Sequence, residues 1–278
     1  MNAPTRDLPA SLRPRVEAIL DELASLPSIV VAFSGGVDSS VVAALAYRAL
    51  GDAALAATAV SETLASHELD EARAIASEIG IPHELVAFSE LDSADFRANT
   101  SARCFFCQSM RFDQMRALAD KLGFDAVASG SNASDVGDHR PGLEAMAQRR
   151  VLQPLLTHGV SKAEVREVAR WLGLSVWDKP AKACLSSRIP HGLEVTEARL
   201  RRVEAAENVL LSLGFRQFRV RDHGGHARVE IATDELPGAL SPDTLSTIAD
   251  GTLDAGFSTV SLDLVGYRSG SLNPVRRG

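Results

Sequence analysis

Apolar residues recur every three or four positions over 11–26, with Leu12, Val16, Ile19, Leu20, Leu23 and Leu26 on one side, and this spacing predicts an amphipathic helix that ends at Pro27. The next apolar run, Ile29-Val30-Val31-Ala32-Phe33, is short and rich in β-branched residues. It stops at Gly35-Gly36 and is followed by helical spacing over Val41–Leu50, which reads as strand, glycine turn and helix. The pattern repeats: a strand over Leu55–Val60, a helix from about Leu69 to Ile79, a strand over His83–Ala87, a helix over Phe105–Leu122, and a brief strand at Ala126-Val127-Ala128. Strands alternating with helices of this length predict a parallel sheet covered on both faces.

Beyond a polar loop at 131–142, Val151–Leu155 and a helix over Lys162–Leu172 close this first domain. The pattern then changes. Residues 178–192 carry two prolines and little periodicity, as a linker or active-site loop does. A long helix over Thr196–Leu213 precedes apolar segments at Phe215–Arg221, Ala227–Ile231 and Thr259–Leu264 with a helix between them. The expected fold class is α/β: a doubly wound parallel sheet over 1–180, with a smaller α+β domain over 181–278.

Composition narrows the function classes. With 45% hydrophobic and 23% charged residues, the chain is neither disordered nor a membrane bundle. No run approaches 18 apolar residues and the start has no signal-peptide core, so a cytoplasmic protein with no membrane association is expected. A net charge of −7 argues against long nucleic acid as a partner. Three cysteines, Cys104, Cys107 and Cys184, are too few and too odd for a disulfide framework. Only four of the 29 basic residues are lysines, a bias that base composition explains most simply.

Ser34-Gly35-Gly36-Val37-Asp38-Ser39 carries the strongest chemical signal. Between a buried strand and a helix, glycines let the backbone approach phosphate oxygens, the helix N-terminus supplies positive potential, and the hydroxyls of Ser34, Ser39 and Ser40 add donors. No Gly-Lys-Ser/Thr follows, so this is not the Walker pattern. The string resembles the PP-loop of N-type ATP pyrophosphatases, which implies cleavage of ATP between the α and β phosphates. Asp38 then sits where Mg²⁺ on the phosphates needs an oxygen ligand. The end of the second strand, at Ser61, lies across the expected switch point, where backbone contacts to adenine are expected. Cys104-Phe105-Phe106-Cys107 places two thiols within one helical turn, a spacing that suits a metal or redox pair, and a structural zinc is one open reading.

Seven ordered blocks extend the resemblance: SGGVDS, CFFC, GSNASDVGDHRPG (130–142), WDKPAKACLSSRIPHG (177–192), RRVEAAE (201–207), GFRQFRVRDHG (214–224) and LDLVGYRSGS (262–271). Together they resemble the LarE family of ATP-dependent sulfur transferases, from about Leu20 to Ser271. The resemblance implies adenylation of a carboxylate of pyridinium-3,5-biscarboxylic acid mononucleotide and its conversion to a thiocarboxylate, a step toward the nickel-pincer nucleotide cofactor of lactate racemase. ATP and Mg²⁺ are the implied cofactors, with Ser34, Gly35, Gly36, Val37, Asp38, Ser39, Ser61, Gly130 and Asn132 at the nucleotide. Where PP-loop relatives often read GTN, this chain has Gly130-Ser131-Asn132, which keeps the hydroxyl.

Two sulfur sources occur in the family. One branch sacrifices a single cysteine, here Cys184; the other holds a [4Fe-4S] cluster on three cysteines, here Cys104, Cys107 and Cys184. The three-cysteine pattern favours the cluster, since three thiolates leave one iron able to carry an extra hydrosulfide. Cys184, Asp38 and Ser39 are the expected catalytic residues. The residues expected at the anionic substrate are Arg140, Ser187, Arg188, Glu207, Arg219, Arg221 and Arg268, charge-assisted contacts among them. Each arginine has a blander reading as a solvated surface charge, and Glu204 with Glu207 as either a metal-binding pair or a solvated helix face. Ala181, Lys182 and Ala183 suggest a small, mildly electropositive pocket before Cys184. Trp177 and His191 read as packing and loop residues. A sulfide or other sulfur donor and a homo-oligomer, a homohexamer, are the implied partners. A cluster-dependent tRNA thiolase and an ATP-sensing module without chemistry are the competing readings.

Overall fold

The computed structural model of the chain describes residues 7–135, 141–180 and 183–268. In chain order the elements are α1 (Arg13–Ala24), β1 (Ile29–Ala32), α2 (Val37–Leu50), β2 (Ala54–Val60), α3 (Ser66–Ile79), β3 (His83–Ala87), α4 (Ala94–Arg97), α5 (Arg103–Leu122), β4 (Ala126–Ala128), α6 (Pro141–Gln148), α7 (Pro154–Thr157), α8 (Lys162–Trp171), α9 (Glu197–Ser212), β5 (Phe218–Asp222), β6 (His226–Ile231), α10 (Leu236–Ala239), α11 (Pro242–Asp254) and β7 (Thr259–Leu262). Among the described residues, those of Met1–Ser89 and Cys104–Lys182 form one compact unit, and those of Glu90–Arg103 and Ala183–Gly278 form a second.

The first unit is built on a four-stranded parallel sheet in the order β3-β2-β1-β4. Because successive side chains on a strand point to opposite faces, β1 feeds two cores. Ile29 and Val31 join the cluster with Val16 and Ile19 of α1, Val41 and Leu45 of α2, Ile75 of α3 and Val165 of α8. Val30, with Leu55 and Val127, joins Phe112, Met115 and Ala119 of α5 and Met146 of α6. Helices therefore cover both faces, and β1, β2 and β4 read as nearly unbroken apolar runs for that reason, whereas the edge strand β3 keeps Glu84 and Leu85 exposed. Leu152 adds a parallel bridge to Ala128 beyond β4 before Pro154 opens α7.

The second unit has a three-stranded sheet, β5-β6-β7, antiparallel between β5 and β6 and parallel between β6 and β7. Leu200, Val203, Ala206 and Leu210 recur at helical spacing and are the buried face of α9, which packs on β5 and α11. Its first strand begins at Phe218, three residues later than the apolar pattern predicts, because α9 runs to Ser212 and the chain turns at Gly214 with φ +88°.

The segment Glu90–Arg103 belongs to this second unit, which the periodicity does not reveal. Asn99 anchors it from a left-handed backbone position, φ +52°. Fully buried, its Nδ2 donates to the carbonyls of Pro190 at 2.8 Å and Leu193 at 2.7 Å and lies 3.3 Å from that of Ile189, while its Oδ1 accepts from Arg103 Nη1 at 2.6 Å. One side chain thus satisfies carbonyls of a turn about ninety residues away.

Candidate active site

The site grows from the end of β1. Phe33 N still bonds to Ala57 O at 2.8 Å, and the chain then turns at Gly35 with φ +64°. A Cβ at Gly35 would lie 2.7 Å from Ala72 Cα, so both the backbone angle and the close packing of α3 require glycine. Gly36 caps α2, and the loop is tied by its own hydroxyls. Ser39 Oγ accepts from Ser34 N at 3.2 Å and donates to Gly36 O at 3.2 Å, which leaves Ser34 Oγ, 3.1 Å away, to donate to it. Gly130 closes the other side: a Cβ there would stand 2.6 Å from Ser39 N. The end of β4 can lie against the N-terminus of α2 only without a side chain.

These residues line a cleft of about 260 Å³. Ser34, Gly36, Asp38 and Ser39 form its polar end, and Phe33, Ala57, Thr58, Ala59 and Leu64 form an apolar wall. The wall is braced from behind. Thr58 donates to Phe33 O at 2.8 Å, so at 2.7 Å it accepts from His83 Nε2, whose ring meets Phe33 edge-on. Burial, with Arg73 second, holds the His83 pKa below the ordinary histidine value and keeps the ring neutral. Such a cleft suits a flat apolar base at one end and phosphates at the other.

Ser61 does not line the cleft; its hydroxyl meets Thr63 Oγ1 at 3.0 Å within its own turn. Ser40, expected to offer a hydroxyl, is fully buried and also absent from the lining. Val37 is buried in the first core and starts α2. Asn132 Nδ2 donates to Asp38 Oδ1 at 3.2 Å, while its Oδ1 accepts from Ser134 N at 2.9 Å. The other carboxylate oxygen, Asp38 Oδ2, pairs with Lys162 Nζ. A carboxylate so oriented at the mouth of a phosphate loop can ligate a divalent cation.

The far wall is α5. Gln108, Arg111, Phe112 and Met115 line the cleft, and Cys104 and Cys107 stand on the first turns of the same helix. Positions 104, 107, 108, 111, 112 and 115 are three or four apart along one stripe. Arg111 Nη2 lies 3.9 Å from Cys107 Sγ. The thiol pair and the cleft are therefore successive turns of one helical face. All three cysteines are free thiols; Cys104 is exposed, Cys107 buried and Cys184 half-buried. Among the described residues no group of three or more His, Cys, Asp or Glu side chains gathers as a metal site.

Cys184 opens the second unit, where its Sγ is 3.1 Å from Ser186 Oγ. The expected substrate residues collect here, but as a buried salt network. Arg188 clasps Glu207 through two bonds of 2.8 Å with both side chains about 5% exposed, and it also donates to Cys184 O at 3.0 Å. Glu207 accepts from Val220 N at 3.0 Å as well. Arg221 bonds Glu230 at 3.0 Å and Ser187 O at 3.0 Å, and Arg228 reaches the other Glu230 oxygen at 2.8 Å. Arg219 stacks 5.0 Å over Tyr267; burial, then the nearby Arg188, lowers its pKa below the usual arginine value. Arg188, Arg219 and Arg221 are thus not solvated surface charges, whereas Arg268 is exposed. Arg140, Ala181 and Lys182 lie outside the described residues.

The sequence reading misses Thr58, Lys162, Glu230 and the cleft face of α5. A signal exists for two of these: the stripe through 108, 111, 112 and 115 continues the cysteine spacing, and Lys162 is one of only four lysines. Trp177 is exposed, with the Arg170 guanidinium 4.0 Å from its ring, and His191 Nδ1 meets Asn99 O at 3.2 Å.

A family model described as NAD synthase matches residues 12–115, which include the glycine turn and the start of α5. The chain is 42% identical over 264 residues to an uncharacterized protein of Synechocystis sp., covering 95% of this chain and 98% of the relative. It is 34% identical over 268 residues to the pyridinium-3,5-bisthiocarboxylic acid mononucleotide synthase of Lactiplantibacillus plantarum, covering 95% of each. Identity to the tRNA-specific 2-thiouridylase of Zymomonas mobilis is 34% over 194 residues, 56% of this chain and 52% of the relative.

Proposed function

The chain belongs to the LarE family of ATP-dependent sulfur transferases, and we propose that it adenylates a carboxylate of pyridinium-3,5-biscarboxylic acid mononucleotide and converts it to a thiocarboxylate. The observation that supports this reading is the continuity of α5: a nucleotide-shaped cleft and a thiol pair occupy successive turns of one helix.

In this reading Ser34–Ser39 and the N-terminus of α2 cradle the phosphates, Gly130 lets them approach, and Asp38, steadied by Asn132, ligates the Mg²⁺ of Mg·ATP. The substrate carboxylate oxygen attacks the α-phosphorus, a new O–P bond forms, the bond from the α-phosphorus to the bridging oxygen breaks, and pyrophosphate leaves. Hydrosulfide then attacks the acyl carbon and AMP departs with the electron pair of the broken C–O bond. The substrate-side residues are Ser187, Arg188, Arg219, Arg221, Arg268 and Arg140, with Glu207 holding Arg188 in place.

Cys104, Cys107 and Cys184 are the chain's whole cysteine complement, and a helix-borne thiol pair with a third free thiol fits the donor chemistry of an iron–sulfur cluster. A [4Fe-4S] cluster on these three thiolates would supply the hydrosulfide, and turnover would then be multiple. The test is anaerobic incubation of reconstituted protein with the dicarboxylate nucleotide, ATP, Mg²⁺ and sulfide. About four irons per chain, and several equivalents each of thiocarboxylate and AMP, are expected. A single turnover that leaves Cys184 lighter by H₂S would establish the sacrificial route instead, and the absence of any sulfur-containing product would overturn the reading.

A further inference from the structure

A nucleotide carries several negative charges, and the cleft is poor in cations to meet them. Of the charged side chains among the described residues that line it, Asp38 and Asp135 are acidic and Arg111 alone is basic. Arg111 is half-buried on α5, and its Nη2 reaches Cys107 Sγ at 3.9 Å. One planar side chain therefore meets both the cleft and the thiol pair. With five N–H donors it can keep the sulfur contact and still present donors to an anion.

Its place along the helix selects the anion. Phe112 and Met115 are buried and join Leu55 and Val127 in the second apolar core, so this end of the α5 wall suits a base. Arg111 stands one turn before Met115, and Cys107 one turn before Arg111. At a rise of 1.5 Å per residue, each step is about 6 Å along the axis. The groups of an acyl adenylate follow the same order: base, α-phosphate, acyl carbon. A base against Met115 brings the α-phosphate level with the guanidinium and the acyl carbon toward the thiol pair.

We propose that Arg111 is the α-phosphate ligand of the cleft, holding the acyl adenylate, and then AMP, beside Cys107. This rests on the reading of the chain as an adenylating sulfur transferase. When hydrosulfide forms the C–S bond and the acyl C–O bond breaks, the electron pair stays on the phosphate oxygen and the α-phosphate gains a negative charge. A guanidinium already seated there binds the departing AMP more strongly than the adenylate it came from, and so favours the sulfur-transfer step.

Binding to the full-length chain, with no sulfur source present, tests the assignment without turnover. Calorimetry gives three affinities: AMP, adenosine and magnesium pyrophosphate. Arg111→Met is expected to weaken AMP about tenfold, through loss of a charge-assisted contact. Adenosine, which has no phosphate, and magnesium pyrophosphate, which has no α-phosphate, are expected to stay within about twofold of wild type. An unchanged AMP affinity, or a fall no larger than that of adenosine or of pyrophosphate, would overturn the proposal and leave Arg111 a packing residue of the wall. Wild-type protein that binds neither adenosine nor AMP would instead remove the nucleotide reading of the cleft, and the proposal with it.

Discussion

In the first unit Asp38 and Lys162 meet with 25% and 31% of their side chains exposed, whereas in the second Arg188 and Glu207 meet at 4% and 5%. Both are ion pairs that involve residues the family resemblance links to ligands, Asp38 in the first and both members of the second, yet their physics differs. The first is wet and single-pointed. The second is dry and bidentate, with Glu207 further tied to Val220 N, so either member is costly to release in low dielectric. The first pair is cheap to open because water can replace either partner; the second holds Arg188 beside the Cys184 carbonyl.

Breaking the dry pair gives the largest expected effect. Glu207→Gln replaces the carboxylate that Arg188 clasps with a neutral amide in a buried site and is expected to lower the unfolding free energy by about 4 kcal/mol in urea titration. The matching change at the wet pair, Lys162→Met, is expected to stay within about 1 kcal/mol. Equal losses in the two variants would erase the contrast.

Asn99→Ala comes next. Removing one side chain takes a donor from the Pro190 and Leu193 carbonyls and an acceptor from the Arg103 guanidinium, and places alanine at φ +52°. A loss of about 3 kcal/mol is expected, with early loss of amide-exchange protection around 185–195. Uniform loss of protection across the whole chain would contradict Asn99 as a local anchor of the second unit.

The smallest effect concerns the base of Lys162. Hydrogen bonding to Arg15, with that to Ser161 second, lowers the Glu164 pKa from 4.5 to about 2. A depressed carboxylate stabilises the fold fully above the unfolded value near 4.5, and that stabilisation fades as pH falls toward 2. Glu164→Gln is therefore expected to cost about 1 kcal/mol at pH 7 and progressively less below pH 4.5, in acid titrations followed by circular dichroism. A pH-independent difference would contradict the charge-based clamp.

The contrast also explains what was legible from residues alone. Local rules sufficed for the first unit: short apolar runs placed β1 to β4 to within a residue or two, and the glycine-rich turn revealed the loop because Gly35 fills a position no side chain fits. The partners of charged groups were not legible, because they are set by long-range contact. Asp38 meets a lysine 124 residues away, Arg188 a glutamate 19 away, and Asn99 carbonyls about 90 away. The apolar periodicity that places an element does not encode those distances. The assignment of Glu90–Arg103 to the second unit failed to show for the same reason, since its anchor is a single polar side chain and not a hydrophobic stripe.

Exchange of labelled pyrophosphate into ATP reports whether this cleft activates a carboxylate by transferring AMP. Label is expected in ATP only when both Mg²⁺ and pyridinium-3,5-biscarboxylic acid mononucleotide are present, with AMP accumulating once sulfide is added. Substrate-dependent formation of ADP and phosphate, with no label entering ATP, would contradict it.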